Sequence, residues 1–344
     1  MRGVVSLLAC AAYRQRVPRK PPIDPVRWTP PPVGELPDFA AAELTVVPMP
    51  GDGPEDVVVD ATGQLWTGLV DGRIVRVTPD GAATVVADTG GRPLGMHVAR
   101  DGRVLICDSH RGLLALDPTT GTLSTLIDSI EGRPLMFCSN VTETSDGTIY
   151  FTESTSRFHF EYYQGAILEA RGSGSLFRLD PDGTVTTLVQ GLYFANGVTP
   201  TADESALVFA ETQGRRLSKY WLSGPAAGTV TPLAEHLPGM PDNISTAPDG
   251  RIWVALVSSI IPAAERLAPL PPVLRKVVWR LPNALLPKIK PEVWVVAFDA
   301  ETGAAVTGIR TQNPAFGAVT GVVETGGKLW MSTIEFPALA NTQL

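Results

Sequence analysis

Carboxylate and amide side chains recur at one position relative to a turn, and this recurrence is the first sign of chemistry in the chain. In the stretch LPGMPDNISTAPDGRIWVAL, Asp242 and Asn243 precede an apolar strand, where a sheet would normally bury Ile, Val or Leu. Glu55 and Asn196 take the same position as Asp242, eight residues before a turn residue. Oxygen atoms that converge from separate strands are costly to bury unless something satisfies them. The pattern therefore predicts one shared polar site.

The elements that position these residues are repeated hairpins. Units such as EDVVVDATGQLWTGLVDGRIVRVTPDG and GMHVARDGRVLICDSHRGLLALDPTTG share an apolar strand, an Asp-Gly turn, a second strand and a third strand that ends in another turn. About six such units, spaced by roughly 40 to 60 residues, are typical of propeller blades. We therefore predict an all-β, six-bladed β-propeller, whose innermost strands line a central channel. The shared position holds Leu94 in the second unit, Ser139 in the third, and Ala318 or Val319 in the sixth.

A single calcium ion in the central channel would satisfy this set of side chains. Ca²⁺ binds about six to eight oxygen atoms from carboxylates, amides and water. Zinc is disfavoured because neither His nor Cys occupies the shared position. The alternative is that these Asp and Asn side chains cap the strand starts and bind channel water.

The two ends of the chain are predicted to close the ring. The last unit, after Gly321, is too short for a blade, and the strand-like segment Phe39–Pro50 can supply its missing outer strand, which would remove an exposed sheet edge. The propeller then spans 38–344, and 1–37 form a leader and a Pro-rich linker. The apolar run Gly3–Tyr13 is shorter than the roughly 20 residues that span a bilayer, and it resembles a signal peptide only loosely. A cytoplasmic and a membrane-associated location both stay open.

An insertion over 258–291 interrupts the fifth unit. It has Leu, Val and Trp at helical spacing between prolines, and this pattern predicts a pair of amphipathic helices. We expect the helices to form a lid over one face of the propeller; contact with a membrane surface or with a protein partner are the alternatives. The insertion contains one acid, Glu265, against these basic residues: Arg266, Arg275, Lys276, Arg280, Lys288 and Lys290.

Charge and motifs exclude several functions. The formal net charge of −7 argues against a nucleic-acid partner, because the neutralisation of phosphates requires a basic face. The chain has no GxSxG elbow, no P-loop and no GxGxxG after a strand, so serine-hydrolase and nucleotide chemistry lack support. A small molecule or a metal ion is the expected partner.

Several stretches resemble the strictosidine synthase-like and adipocyte plasma membrane-associated protein family. GPEDVVVD, GLYFANGV and LPGMPDNIS carry the resemblance, which places the chain among the calcium-dependent six-bladed propellers with paraoxonase and gluconolactonase. The resemblance implies that Glu55, Asn196 and Asp242 hold calcium, with Asn243 as a further ligand or the neighbour of one. Where the family has an Asn in the third blade, this chain has Ser139. Asn140 is one residue further on and reaches the ion only if the strand is bulged.

The same resemblance implies a calcium-dependent hydrolase of lactones or esters, arylesters among them. Asp242 would be both a ligand and the base, and His110 is the second candidate catalytic residue because it lies near the position of one histidine of the paraoxonase pair. The other position of that pair holds Leu94. The stretch AVTGV lacks the acid that strictosidine synthase uses for condensation. The alternative is a non-catalytic propeller that calcium stabilises and that binds a protein or a membrane.

Overall fold

The computed structural model describes residues 20–282, 285–286 and 289–344. Within this part of the chain, strands form six four-stranded antiparallel sheets and one two-stranded hairpin. The predicted leader up to residue 19, and Lys288 of the insertion, lie outside the described residues.

Each four-stranded sheet is one blade, and its strands follow the chain from the inside of the ring outwards. The inner to outer strands are, in blade 1, β2 Val58–Val59, β3 Leu65–Gly68, β4 Arg73–Val77 and β5 Ala83–Asp88; in blade 2, β6 Pro93–Val98, β7 Val104–Asp108, β8 Gly112–Leu116 and β9 Leu123–Ile127; in blade 3, β12 Cys138–Glu143, β13 Ile149–Glu153, β14 Gly174–Leu179 and β15 Val185–Leu192; in blade 4, β16 Ala195–Pro200, β17 Ala206–Glu211, β18 Arg216–Trp221 and β19 Val230–Ala234; in blade 5, β20 Gly239–Thr246, β21 Ile252–Ser259, β22 Val293–Phe298 and β23 Ala305–Thr311; and in blade 6, β24 Val319–Thr325, β25 Lys328–Thr333, β26 Ala338–Gln343 and β1 Thr45–Pro48. The small hairpin β10 Ser129–Ile130 and β11 Arg133–Pro134 connects blades 2 and 3.

The ring closes as the sequence predicts. The inner strands of neighbouring blades contact one another around the channel, including β24 with β2. The outer strand of blade 6 is β1, which pairs antiparallel with β26 from Thr45 opposite Asn341 to Pro48 opposite Ala338. The six-bladed propeller with a ring closed by the two ends of the chain is therefore confirmed.

The turn after each inner strand sets the phase of the repeat. Gly63, Gly102, Gly147 and Gly250 have φ values between 81° and 89°, a left-handed conformation that favours glycine because it has no Cβ. Glu204 takes this place in blade 4 with φ 53°. Since all five turns are alike, residues counted back from them occupy equivalent places on the inner strands.

Apolar packing between blades holds these inner strands in place. Among the described residues, six apolar clusters lie one between each pair of neighbouring blades. Trp66, Phe151, Phe209 and Trp253 are almost fully buried in them. Burial of each large apolar side chain stabilises the fold by about 2 kcal/mol. The packing between blades therefore fixes the positions of the inner strands and of the side chains that they direct into the channel.

Two insertions cover one end of the channel. The first, in blade 3, contains a 3-10 turn (Phe160–Tyr162) and helix α1 (Tyr163–Glu169). The second, in blade 5, contains α2 (Pro262–Leu267) and α3 (Pro272–Trp279), and each of these helices begins at a proline, which suits the first helical turn. The predicted helical insertion is confirmed, although its first two predicted residues, Ser258 and Ser259, belong to β21. We call the described residues 260–282, 285–286 and 289–291 the lid. No helix in the described ranges is long and apolar enough to cross a membrane.

The Pro-rich segment before the first strand is extended and packs against the lid. We call residues 20–37 the clasp. The Nε1 of Trp279 donates a hydrogen bond to the carbonyl of Pro21 at 2.7 Å. The amides of Val26 and Trp28 donate to the carbonyls of Glu169 and Ala268 at 3.0 and 3.4 Å. The clasp therefore joins the two insertions.

Candidate metal centre and its cavity

The inner strands of five blades are irregular at the same place, next to the cavity. Pairing shifts across two residues in blades 2 to 6, between Pro93 and Met96 in blade 2 and at the equivalent place in the others. A bulge breaks the alternation of a strand, so that two successive side chains can face the channel. The sixth blade puts Thr320 in the first of these two places, so the predicted Ala318 or Val319 was wrong, because the count ignored the different turn of that blade.

The two places form two rings of side chains around the axis. We call the first the cavity ring and the second the channel ring. The cavity ring consists of Glu55, Leu94, Ser139, Asn196, Asp242 and Thr320, and the channel ring consists of Asp56, Gly95, Asn140, Gly197, Asn243 and Gly321. All members of the cavity ring except Thr320 line the cavity above.

The cavity ring brings together most of the predicted ligands. The Nδ2 of Asn196 donates to the Oδ1 of Asp242 at 2.5 Å. The Oδ1 of Asn196 accepts a hydrogen bond from the hydroxyl of Ser139 at 3.2 Å. Glu55, Asn196 and Asp242 are each about 5% exposed. The structure therefore places Glu55, Ser139, Asn196 and Asp242 in one buried, oxygen-rich centre.

The carboxylates of this centre repel one another. Burial raises the pKa of Glu55 well above its usual range, and the negative charges of Asp242 and Asp56 raise it further. Burial also raises the pKa of Asp242, and the nearby charge of Asp56 adds to the effect. A cation between these groups would replace repulsion with attraction.

The channel ring lies directly behind the cavity ring and contains Asn140 and Asn243. The Nδ2 of Asn140 donates to the Oδ1 of Asn243 at 3.0 Å and faces the Oδ2 of Asp56 at 3.4 Å. The Oδ1 of Asn140 accepts the backbone N–H of Val198 at 3.0 Å. The strand of blade 3 is bulged, as contact between Asn140 and an ion requires, but the bulge directs Asn140 into the channel ring. Asn243 reaches the cavity ring through its Nδ2, which lies 3.3 Å from the Oε2 of Glu55.

Glycines make the channel ring possible. They alternate with Asp56, Asn140 and Asn243 around the axis, and a Cβ on Gly95 would lie 2.3 Å from the Nδ2 of Asn140. A Cβ on Gly321 would lie 2.4 Å from the Oδ1 of Asp56. These close approaches leave no room for a larger residue, so three polar side chains fill the channel and support the cavity ring.

The donor chemistry of the cavity ring fits a hard cation. Two carboxylates, an amide and a hydroxyl converge there, and calcium accepts such oxygen ligands with water at the open side. The amide of Asn196 presents its nitrogen to Asp242 and would offer its oxygen after half a rotation, since the two atoms have nearly the same size. Among the residues that the structure describes, no cluster of three or more His, Cys, Asp or Glu side chains is arranged for a metal. The centre therefore depends on its amide and hydroxyl as well as on its carboxylates.

A cavity of about 370 Å³ opens above the cavity ring. Its floor carries the polar groups of the ring together with Thr212, whose hydroxyl accepts a hydrogen bond from the Nδ2 of Asn196 at 3.1 Å. The walls and the roof are almost entirely apolar. They include Leu94, Phe137, Phe160, Ile167, Phe194, Met240, Val257, Ile261, Leu267 and Val278.

His110 lies apart from this centre and is not among the residues that line the cavity. Its Nε2 is 2.6 Å from the Oε1 of Glu161, and its ring stacks on His159 with 4.6 Å between the ring centres. The bond to Glu161 raises the pKa of His110. The structure does not bring His110 to Asp242, and the histidine instead fastens the blade 3 insertion to blade 2.

Sequence reasoning missed several residues of the site. Thr212 follows a middle strand, and nothing in its neighbourhood distinguishes it from other threonines. Arg92 is buried, donates from one Nη to the carbonyl of Gly53 at 3.0 Å, and its positive charge opposes the rise in the pKa of Glu55. Asp56 could have been found, because it follows Glu55 just as Asn243 follows Asp242.

The fold and the site define a class: a six-bladed propeller with an oxygen-rich centre at the cavity end of its channel. Residues 54–266 match the family model described as the SMP-30/Gluconolactonase/LRE-like region. The chain belongs to this family.

Relatives of this chain include strictosidine synthase-like and adipocyte plasma membrane-associated proteins. Strictosidine synthase-like protein 13 of Arabidopsis thaliana is 34% identical over 260 residues, which cover 67% of this chain and 64% of that protein. Adipocyte plasma membrane-associated protein of Salmo salar is 30% identical over 317 residues, which cover 85% of this chain and 76% of that protein. The chain thus spans less than two thirds of the length of the plant relative.

Solved structures share the fold at lower identity. A gluconolactonase from Xanthomonas campestris has a TM-score of 0.64 at 19% identity and covers 95% of this chain and 99% of its own. The calcium-binding protein regucalcin from Agrobacterium tumefaciens has a TM-score of 0.61 at 17% identity and covers 90% of this chain and 95% of its own. At these identities the similarity shows the propeller fold alone.

Proposed function

We propose that this protein is a calcium-dependent hydrolase of uncharged, apolar lactones or esters. The observation that carries the proposal is the position of Glu55, Asn196 and Asp242 on the floor of an otherwise apolar cavity. The family, which includes gluconolactonases, and the calcium-binding propeller among the similar structures both support it.

Glu55, Asn196 and Asp242 would hold the calcium ion, with Ser139 at its edge. When bound, calcium supplies a Lewis acid that polarises a carbonyl oxygen and favours attack by water. Asp242, as a carboxylate at the floor, accepts a proton from that water. The oxygen of water bonds to the carbonyl carbon, the bond from this carbon to the alcohol oxygen breaks, and the alcohol oxygen gains a proton. A lactone yields one hydroxy acid, and an ester yields an acid and an alcohol.

The cavity walls decide which substrates can reach the floor. A charged substrate would lose its hydration among Phe137, Ile167 and Phe194 without gaining a partner, which costs several kcal/mol. An acyl or aryl group would instead gain about 0.8 kcal/mol for each buried CH₂. We therefore expect kcat/KM to rise with the length of the apolar chain until the cavity is full.

A matched substrate series tests this proposal. Lactones and p-nitrophenyl esters with chains of increasing length are assayed with calcium, with a chelator, and with calcium restored after chelation. We expect chelation to abolish hydrolysis, calcium to restore it, and a carboxylated analogue of the best substrate to react poorly. Full activity under chelation would refute the calcium mechanism.

The alternative is a propeller in which calcium is structural and the lid binds a partner. The buried polar channel ring favours this alternative, because the hydrogen bonds of Asn140 to Asp56 and Asn243 connect blade 3 with blades 1 and 5. Calcium that raises the melting temperature while no lactone or ester reacts would favour the binding module over the hydrolase.

A further inference from the structure

Helix α3 buries an arginine and exposes several apolar residues. Arg275 is 2% exposed and donates from one Nη to the carbonyl of Leu168 at 2.9 Å and from the other to the carbonyl of Val26. On the opposite face, Val273 is 59% exposed, Leu274 is 41% exposed and Val277 is 56% exposed. A helix that faces only water normally shows the reverse arrangement. The outer face of α3 therefore has the composition of a face that contacts an apolar surface.

This apolar face belongs to a larger patch on the lid. Of the twelve large hydrophobic side chains that are exposed among the described residues, six lie between 270 and 285. We call them the lid patch: Leu270, Val273, Leu274, Val277, Leu281 and Leu285. Single exposed apolar residues are ordinary on a protein surface. When half of the exposed large hydrophobic side chains lie on one short segment, that segment is marked as a contact surface.

Basic side chains surround the lid patch in an otherwise acidic protein. Arg266, Lys276, Arg280 and Lys290 are all exposed. Glu265 is engaged elsewhere, by the buried Arg215 at 3.2 Å, whereas Asp24 pairs with both Arg171 and Lys276, the latter at 3.4 Å. Arg266, Arg280 and Lys290 form no ion pair among the described residues. The lid therefore presents positive charge, although the whole chain has a net charge of −7.

The lid patch is continuous with the mouth of the cavity. Leu281 and Leu285 are 38% and 67% exposed, and both also line the cavity. Val278 lines the cavity from the inner side of α3. An apolar molecule that is dissolved in an apolar phase against the lid patch would thus have an apolar path into the cavity.

We propose that the lid patch docks on a lipid surface that contains anionic headgroups. Helix α3 lies in the plane of the interface, its Val and Leu side chains enter the boundary between headgroups and acyl chains, and the basic residues around it contact the headgroups. This combination of an apolar face with flanking Lys and Arg is the one that holds helices at anionic membrane surfaces. A protein partner would need an apolar area surrounded by negative charge in the matching arrangement. An anionic membrane presents apolar chains and negative headgroups over its whole surface.

The test compares two triple variants of the full chain. V273S/L274S/V277S removes the centre of the patch, and V85S/V230S/V306S removes three valines of similar exposure from the outer blade strands. Both are mixed with vesicles of phosphatidylcholine and of phosphatidylcholine with phosphatidylserine, and binding is measured by co-flotation. We expect the patch variant to bind the mixed vesicles at least about tenfold more weakly, and the control to bind like the wild type.

A second pair of variants tests the electrostatic part. Arg266→Gln and Arg280→Gln should each weaken binding to the phosphatidylserine vesicles by about fivefold and leave the weak binding to pure phosphatidylcholine unchanged. Raised salt should reduce the difference between the two vesicle types, because it screens exposed charges.

Two outcomes would overturn the proposal. The first is equal vesicle binding by the wild type and the patch variant, with circular dichroism showing both folded. The second is concentration-dependent dimerisation, measured by sedimentation without vesicles, that the patch variant abolishes while no form binds vesicles. Neither outcome bears on the hydrolase, because a short water-soluble ester reports on the cavity ring without any lipid.

Discussion

The floor of the cavity and the lid above it are built in opposite ways. The floor is polar and carries side chains from bulged strands that the packing between blades fixes in place, and hydrogen bonds run from Ser139 through Asn196 to Asp242. The lid consists of two short helices with apolar residues on both faces, and a few buried arginines and the clasp hold it.

This difference separates chemistry from selection. Like charges are held close together on the floor because the inner strands that carry them pack against the inner strands of both neighbouring blades. The lid has no such redundancy, since Arg275 and Trp279 supply much of its attachment. We infer that the floor holds the reactive geometry while the lid sets which molecules enter, and the predictions below test each part of this division.

The largest effect is expected from a change in the charge of the floor. Asp242→Asn should lower kcat/KM by at least about 1000-fold and abolish stabilisation by calcium, because it removes a ligand and the base. Without calcium the variant should be more stable than the wild type by about 2 kcal/mol, since burial and the nearby Asp56 charge disfavour the ionised carboxylate. Calorimetry with calcium and with a chelator, together with the ester assay, measures all three effects.

The matched control is Asp249→Asn, in the exposed turn after the same strand. It should change neither activity nor the response to calcium. A calcium-dependent rise in melting temperature that survives in Asp242→Asn would contradict the assignment of this ligand.

The attachment of the lid should depend on one buried guanidinium. Arg275→Met keeps an unbranched apolar stem but removes the guanidinium, which leaves the carbonyls of Leu168 and Val26 without their donor, at a cost of about 2 to 3 kcal/mol. Hydrogen exchange in α2 and α3 should accelerate by about tenfold or more, while the inner strands exchange as before. Arg280→Met, at the exposed end of the same helix, is the control; equal acceleration in both variants would show that Arg275 has no special role.

The third blade offers a way to strengthen the floor. Ser139→Asn restores the amide that the family resemblance implies, and a longer oxygen donor beside Asn196 should tighten calcium binding by about tenfold. Isothermal titration measures the affinity, with the exposed Ser129→Asn as the control. Weaker binding in Ser139→Asn would mean that the hydroxyl, through its hydrogen bonds to Asn196 and Ser154, matters more than an extra ligand.

The smallest effect concerns the edge of the blade 3 insertion. Because Glu161 raises the pKa of His110, their pair stabilises the fold fully below the unfolded pKa of about 6.5, and this stabilisation disappears as the pH rises through the higher folded pKa. Both groups are partly exposed, so the contribution is at most about 1 kcal/mol. Glu161→Gln should therefore cost more stability at pH 6 than at pH 9, as urea unfolding would show; a constant difference would exclude this ion pair.

Much of the architecture could be predicted because the repeat is local. Asp-Gly turns at regular spacing set the phase of the strands, and Glu204 kept that phase in blade 4 by adopting the conformation of the glycines it replaces. The strand that closes the ring was predictable because the last unit lacked one. The same phase brought Glu55, Asn196 and Asp242 to one point of the channel before any contact was known.

The places where prediction stopped are those where a strand leaves its regular alternation. In blades 2 to 6 the bulges put two residues of the inner strand on the axis, so Asn140 and Asn243 fall in the channel ring, and the sixth blade presents Thr320. The resemblance to paraoxonase made His110 a candidate for the site. In the structure His110 contacts Glu161, because the insertion of blade 3 lies over it.

The sequence by itself determined the number of blades, the closure of the ring and the oxygen-rich character of its axis, since these follow from turn chemistry and from periodicity along the chain. Only the tertiary structure decided which polar residues meet in the cavity ring and which in the channel ring, because bulge geometry depends on strand pairing. It also decided that α3 buries Arg275 and exposes its valines, since that choice depends on the carbonyls of the clasp and of α1, which are distant in sequence from the helix they hold.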